Sequence, residues 1–342
     1  MYFFDPFIIK CPNSLFREPC LVFELRQSND LSYRLLECRR AHCLGCSRWF
    51  IIGSKPPRKP QVRSVRKPLH WRFQNSTISA RISNMIRDIE TTTKTIAEAL
   101  ASARQISPMT SEAGQLTLDE AYSIASRVRG IQGKKRVGRK VGFTNRAIWP
   151  VYGVDQPIWG EVYSEGLFST DQPVNLARYS EPRIEPEIVL GLKHAPIAEM
   201  DNAQLAGCVE WVAPGFEIVQ SIYPGWKFSV EDSIVAQGLH GCLVLGDKIA
   251  ATHDVLTGLA EVPLALFKGA EAIESGKGEN ALGGPIEVLA HLVSLLSDTD
   301  QLQGGELVTT GTLTDAWPVS PGEQWSAGFG GVMDTELSVR FT

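Results

Sequence analysis

From residue 135 onward, apolar positions come in short runs divided by glycine and proline: RKVGFT, WGEVY, RIEPEIVLGL, GFEIVQSI, CLVLGD and ELVTTGTL. The last run, MDTELSVRF, alternates apolar and polar residues. Runs of this length bounded by turn residues predict strands. One stretch among them, IEVLAHLVSLLSD, repeats instead at helical spacing, with Ile286, Leu289, Leu292, Val293 and Leu296 on one stripe. Two further helices are predicted ahead of the strands. MIRDIETTTKTIAEALASARQ carries Ile86, Ile89, Ile96, Ala97 and Leu100 on one face. TLDEAYSIASRVRG offers Thr117 as N-cap, Glu120 three residues on, and Gly130 as a stop. The pattern predicts an α+β domain, helices first and a mostly β body after, with no internal repeat.

Charge divides the chain in a way its net value of −4 hides. Residues 1–84 hold 15 lysines and arginines against 5 acids, and residues 85–342 hold 19 against 33. Five of the seven cysteines, Cys11, Cys20, Cys38, Cys43 and Cys46, also fall in the first part. Residues 51–84 have eight basic residues, four prolines and no acid, a linker or disordered composition that buries too little apolar area to offset its ordering entropy. Arginine-rich, acid-poor stretches also occur in transit segments, which the first 50 residues fit poorly, and no signal-peptide pattern opens the chain. Cys38, His42, Cys43 and Cys46 suggest a zinc knuckle, but four ligands within nine residues are tighter than usual zinc spacing. The domains expected are therefore a basic, cysteine-containing, disordered extension over 1–84 and a catalytic domain over 85–342. An acidic domain argues against nucleic acid as partner, because phosphate binding needs lysine and arginine. No apolar run reaches the length of a membrane helix, so no membrane is expected as partner either. Cys208 and Cys242 alone in the second part fit a reduced compartment.

The candidate chemistry lies in RIEPEIVL. On a strand, Glu185 and Glu187 point to one face because the side-chain period is two. They run directly into Ile188, Val189 and Leu190, and Glu217 is embedded in the apolar run GFEIV. Neighbouring carboxylates in a dry setting repel, and a divalent cation removes the conflict. The same alternation is also what a half-solvated strand shows. Lys140, between Gly138 and Gly142, reads either as a desolvated acid/base with a lowered pKa or as part of a surface patch with Lys134, Lys135, Arg136 and Arg139. TTGTLTDAWPV gathers hydroxyls around Gly311, a turn able to offer donors to a carboxylate.

KVGFT, PIWG, RIEPEIVL, PGFEIV, GDKI, ENALGGPIEVLAHLVSLL and TTGTLTDAWPVSPGE occur in an order that resembles the fumarylacetoacetate hydrolase superfamily. Within it, the order is that of 2-keto-4-pentenoate hydratases, 2-oxohept-4-ene-1,7-dioate hydratases and 4-oxalocrotonate decarboxylases. The resemblance covers nearly all of residues 85–342. It implies a mixed β-sandwich roll with N-terminal helices and a bound Mg²⁺ or Mn²⁺. Glu185, Glu187 and Glu217 match the metal-ligand positions, Lys140 the active-site lysine, and Thr312 the threonine that helps hold substrate carboxylate. Asp232 matches an acidic residue and is expected to bind substrate, while His240 reads either as a polar substrate-binding group of the pocket or as a satisfied loop histidine. The resemblance further implies a cytoplasmic homo-oligomer acting on a small 2-oxo or 2-hydroxydienoic acid from aromatic ring cleavage. Two departures stand out. Ile158 occupies the place where hydratases usually carry an acid, as in the decarboxylase branch. DSIVAQGLHG replaces an A-D-N-A-S-[SA]-like run, so the pocket is expected to be rebuilt around Gln237–His240. Hydration leads, with decarboxylation of a 2-oxo-3-enedioate or hydrolysis of an acylpyruvate as alternatives. Met85 opens a stretch of 258 residues, near the usual family length. The first 84 residues are therefore expected to come from an over-long gene model.

Overall fold

The structure, a computed structural model, describes residues 89–109, 116–296 and 300–342, together with the backbone of four strands nearer the N-terminus. Contacts divide the chain into residues 1–73 and 74–342. In the first unit, β1 (Phe3–Ile9), β2 (Cys20–Arg26), β3 (Ser32–Cys38) and β4 (Arg48–Gly53) pair antiparallel in chain order. The extension read from composition thus holds four paired strands. Its basic tract from residue 54, and His42, Cys43 and Cys46 of the zinc-knuckle reading, lie outside the described residues.

Among the described residues, the second unit begins with two helices, α1 (residues 89–101) and α2 (Leu118–Gln132). Thr117 and Glu120 form the expected capping box, each side chain meeting the other's backbone N–H. Gly130 does not stop α2. The helix runs two residues further and ends at Gly133, whose φ of 59° is the left-handed conformation a glycine cap supplies cheaply. Gly130 lies inside the helix, where the backbone hydrogen bonds on either side of it outweigh its modest propensity cost.

Two sheets follow. The larger runs β6 (Ile158–Tyr163), β5 (Arg136–Gly142), β14 (Leu307–Thr312), β8 (Arg183–Leu192), β9 (Val209–Val219), β10 (His240–Leu245), β7 (Leu167–Ser169). The short β11 (Ile249–Ala250) and β15 (Trp317–Pro318) pair with β9 and β8. The sheet is mixed: β14 runs parallel to β5 and β10 parallel to β7, while the other pairs are antiparallel. The smaller sheet is antiparallel, in the order β13 (Glu271–Lys277), β12 (Pro263–Lys268), β16 (Gln324–Phe329), β17 (Thr335–Arg340). Its hairpin β12–β13 was not visible as a strand pair in the sequence, since EAIESGK lacks a clean apolar face.

Period two sorts the long central strand β8. Ile184, Ile188 and Leu190 enter the main core with Phe216 and Ile218 of β9, Leu264 and Leu266 of β12, and Leu337 and Val339 of β17. The helix α3 (Pro285–Leu295) closes this core with Val288, Leu289, Leu292 and Val293. Each such side chain, fully buried, contributes about 1.5–3 kcal/mol. The alternate positions, Glu185, Glu187 and Val189, face the other way. Leu296, expected on the helical stripe, is the first residue beyond α3 and is extended, with ψ 139°. No helix among the described residues is long and apolar enough to cross a membrane.

Candidate metal centre

The register of β8 against β9 sets Glu217 directly opposite Glu185, with Glu187 one same-face position along. One carboxylate oxygen from each of the three lies within 4.8 Å of the others. Glu187 and Glu217 are fully buried and Glu185 is half-buried. Glu187 Oε2 accepts the backbone N–H of Gly311 at 2.9 Å. That approach needs glycine: φ there is 89°, and a Cβ would lie 2.1 Å from Thr144 Oγ1. Glu187 Oε1 is buried with no hydrogen-bond partner among the described residues.

Lys140 of β5 comes from the other side. Its Nζ donates to the carbonyl of Gly238 at 2.9 Å and stands 3.2 Å from Glu217 Oε2. Glu217 Oε1 is 2.7 Å from His240 Nδ1. Burial, then the charges of Glu217 and Glu185, pushes the Glu187 carboxyl well above its ordinary range. Burial lifts Glu185 to about 7 against the pull of Lys140. Glu217 goes the other way: burial opposes its charge, but Lys140 and His240 outweigh burial and hold it down to about 2. One reading of Lys140 had its pKa lowered by burial and a nearby cation; among the protein's own groups the direction is the reverse. Burial pulls it down, yet Glu217, Glu185 and Glu187 together outweigh burial and hold it above the ordinary lysine value. Three carboxylates face one lysine, two buried carboxylate oxygens (Glu187 Oε1 and Glu217 Oε2) have no hydrogen-bond partner among the described residues, and two of the acids resist ionising. This all-oxygen donor set fits a divalent cation, which supplies the positive charge that the protein leaves short.

A cleft of about 270 Å³ opens onto this centre. Lys140, Glu185 and Thr312 line it, with Phe143, Ile158, Trp226 and Phe228 as apolar wall. Thr312 donates its hydroxyl to the carbonyl of Thr314 at 2.9 Å. Arg183, unremarked in the sequence, also lines the cleft, its guanidinium 4.1 Å over the Trp226 ring. The signal for it was its i, i+2 relation to Glu185, which a cation at a strand start does not make distinctive. Two residues expected to bind substrate do not line this cleft. Asp232 is fully buried on a short helix, Val230–Val235, away from the cleft lining. Its carboxylate takes the backbone N–H groups of Met109 and Ser229, so it ties loops together. His240 touches Glu217 and is absent from the cleft lining, because Gly238 and Leu239 occupy that wall.

No family model matches the chain. It is 30% identical over 263 residues to the 2-hydroxyhexa-2,4-dienoate hydratase of Comamonas testosteroni, covering 74% of this chain and 97% of that one. A 4-oxalocrotonate decarboxylase of a Pseudomonas species is 31% identical over 218 residues, covering 61% and 84%. The solved structure of 4-oxalocrotonate decarboxylase from Pseudomonas putida G7, complexed with magnesium and adipate, superposes with a TM-score of 0.70 at 24% identity, over 75% of this chain and 98% of that one. With these relatives, the chain belongs to the family of 2-hydroxy-2,4-dienoate (2-keto-4-pentenoate) hydratases and the related 4-oxalocrotonate decarboxylases.

Proposed function

We propose that the protein is a Mg²⁺- or Mn²⁺-dependent hydratase that adds water to a 2-hydroxy-2,4-dienoate to give a 4-hydroxy-2-oxo acid, in the breakdown of aromatic ring-cleavage products. The observation that carries the reading is the buried trio Glu185, Glu187 and Glu217 beside Lys140. Glu185, Glu187 and Glu217 would hold a divalent ion, which would supply Lewis-acid charge to the substrate's oxygens. The chain's own residues do the rest. Lys140 Nζ, fixed by Gly238 O and Glu217, takes the proton of the 2-hydroxyl and delivers one to the dienol carbon as the C2 oxygen becomes a ketone. Thr312 orients the substrate carboxylate from the β14 turn. Phe143, Trp226 and Phe228 give the conjugated tail an apolar wall and limit bulk water around it. We further propose a cytoplasmic homo-oligomer, as is usual for the family.

A second reading has its own observation. Ile158, 3% exposed, puts an apolar side chain in the cleft where hydratases usually carry an acid. That supports decarboxylation of a 2-oxo-3-enedioate at the same centre. The deciding experiment mixes metal-stripped protein with 2-hydroxypenta-2,4-dienoate or 2-oxohex-3-enedioate, with and without Mg²⁺, for wild type and Glu185→Ala. Metal-dependent loss of the dienoate without CO₂, absent in the variant, is the expected result. CO₂ from the enedioate moves the assignment to decarboxylation. Inactivity on both overturns the two readings and leaves acylpyruvate hydrolysis to be tried.

A further inference from the structure

A second cavity, of about 650 Å³, lies between α1, the end of α2 and β10. A strained turn separates it from the cleft. Gln237, Gly238 and Leu239 have φ of 62°, 65° and 64°, a left-handed run that is costly for glutamine and leucine. Gly238 and Leu239 line the cleft, whereas Gln237 and His240 line the second cavity. The turn is held in place from several sides. Tyr163 donates its hydroxyl to Gln237 Oε1, Gln237 Nε2 donates to Ala125 O, and Lys140 donates to Gly238 O. The backbone of β6 must approach closely, since a Cβ on Gly160 would lie 2.4 Å from Gln237 O. Directly after the turn, β10 carries a bulge between His240 and Cys242. Bulges of this kind re-aim side chains next to functional centres.

The side chain so aimed is His240. Its Nδ1 meets the carboxylate of Glu217 at 2.7 Å, and an ionised carboxylate only accepts, so Nδ1 carries the hydrogen. Nε2 is buried with no partner among the described residues, and the residue lines the second cavity. Gln132 Oε1, also buried without a partner, lines the same cavity. Resting on the reading of Glu217 as a metal ligand, we propose that His240 is a positioning residue of the metal centre. It pins Glu217 through Oε1, turns Oε2 toward Lys140 and the centre, and is reached from the second cavity, which holds water as the partner for Nε2. A ligating carboxylate that is itself hydrogen-bonded keeps its orientation, and losing such a partner costs about 10–100-fold in metal affinity.

The test measures Mn²⁺ binding by calorimetry on the full chain, beside thermal midpoints, for wild type, His240→Ala, His240→Asn and His240→Phe. His240→Ala is expected to raise the Kd for Mn²⁺ by about 10–100-fold with little change in midpoint. Asparagine, which keeps an N–H donor, is expected to recover much of it. Imidazole, entering through the second cavity, is expected to restore affinity to His240→Ala and not to His240→Phe, whose ring fills the space. An unchanged Kd in His240→Ala overturns the proposal. So does a loss that imidazole leaves untouched, and so does a loss accompanied by a collapsed midpoint in every variant. A wild type that takes up no Mn²⁺ overturns the metal centre itself, a failure distinct from a wild type that binds and a variant that binds as well.

Discussion

Two charge clusters meet β5 at adjacent residues, Arg139 and Lys140, and are built on opposite principles. Arg139 is fully buried and bonds Glu161 at 2.6 Å and Asp300, with Arg129, Arg136 and Glu306 completing the network. Three guanidinium groups meet three carboxylates, so the charges close among themselves. Its neighbour Lys140 points into the other cluster, where Glu185, Glu187 and Glu217 outnumber it. The balanced cluster joins α2, β5, β6 and the segment before β14. The unbalanced one is incomplete without a cation, which is why it marks a site and the first does not. A buried charge set whose signs fail to close points to a ligand of the missing sign.

The largest contrast is expected from isosteric neutralisation. Glu187→Gln removes one of the repelling carboxylates while keeping its shape. Its metal-free form is expected to melt at or above the wild-type temperature, while Mn²⁺ affinity and turnover fall by more than about 100-fold, beyond the usual cost of an outer partner. A variant that still binds Mn²⁺ normally breaks the comparison. Lys140→Met comes next: turnover is expected to drop about 10²–10⁴-fold with Mn²⁺ binding retained, as for loss of a general acid or base. Steady-state rates beside calorimetry check both halves. In the balanced cluster, Glu161→Gln is expected to cost about 3–5 kcal/mol in denaturant unfolding, because Arg139 keeps its buried charge and loses a partner. Its folded fraction should bind Mn²⁺ as wild type does.

The smallest effect is a pH dependence. The folded-state pKa of Glu185, about 7, lies above its ordinary value of 4.5. Between those values the folded protein holds a proton that the unfolded chain has lost, so metal-free stability falls as pH rises through that window. Glu187 is raised as well and extends the loss upward. A divalent ion competes with the same protons, so the rise in Tm on adding Mg²⁺ is expected to be larger at about pH 8 than at about pH 6. Melts with Mg²⁺ and with EDTA at both values check this, and a gain independent of pH would argue against the carboxylates as ligands.

Much of the catalytic unit could be read along the chain. RIEPEIVLGL spans β8 from end to end, and the capping box at Thr117 starts α2 where its spacing indicates. Glu185 and Glu187 share a face because strand periodicity is local, fixed by the backbone alone. The acidic balance of residues 85–342 and the basic tract before them are likewise properties of composition. What joins distant segments was settled only in three dimensions. Glu217 stands opposite Glu185 through the register of β8 on β9, 32 positions apart, and nothing in either strand alone sets that pairing. Thr144 and Gly311 must meet for a backbone N–H to reach Glu187, a contact of 167 positions' separation. Arg139 looked like one more residue of a basic patch until Glu161 and Asp300 enclosed it. His240 read as a pocket group or a loop histidine because the run after Asp232 departs from the family's pattern, and only the left-handed turn before it sets the ring against Glu217. Periodicity and capping depend on a few neighbouring residues, so the sequence by itself determines them. Charge balance and ligand geometry depend on which strands pair and in what register, and that is decided when the whole core packs.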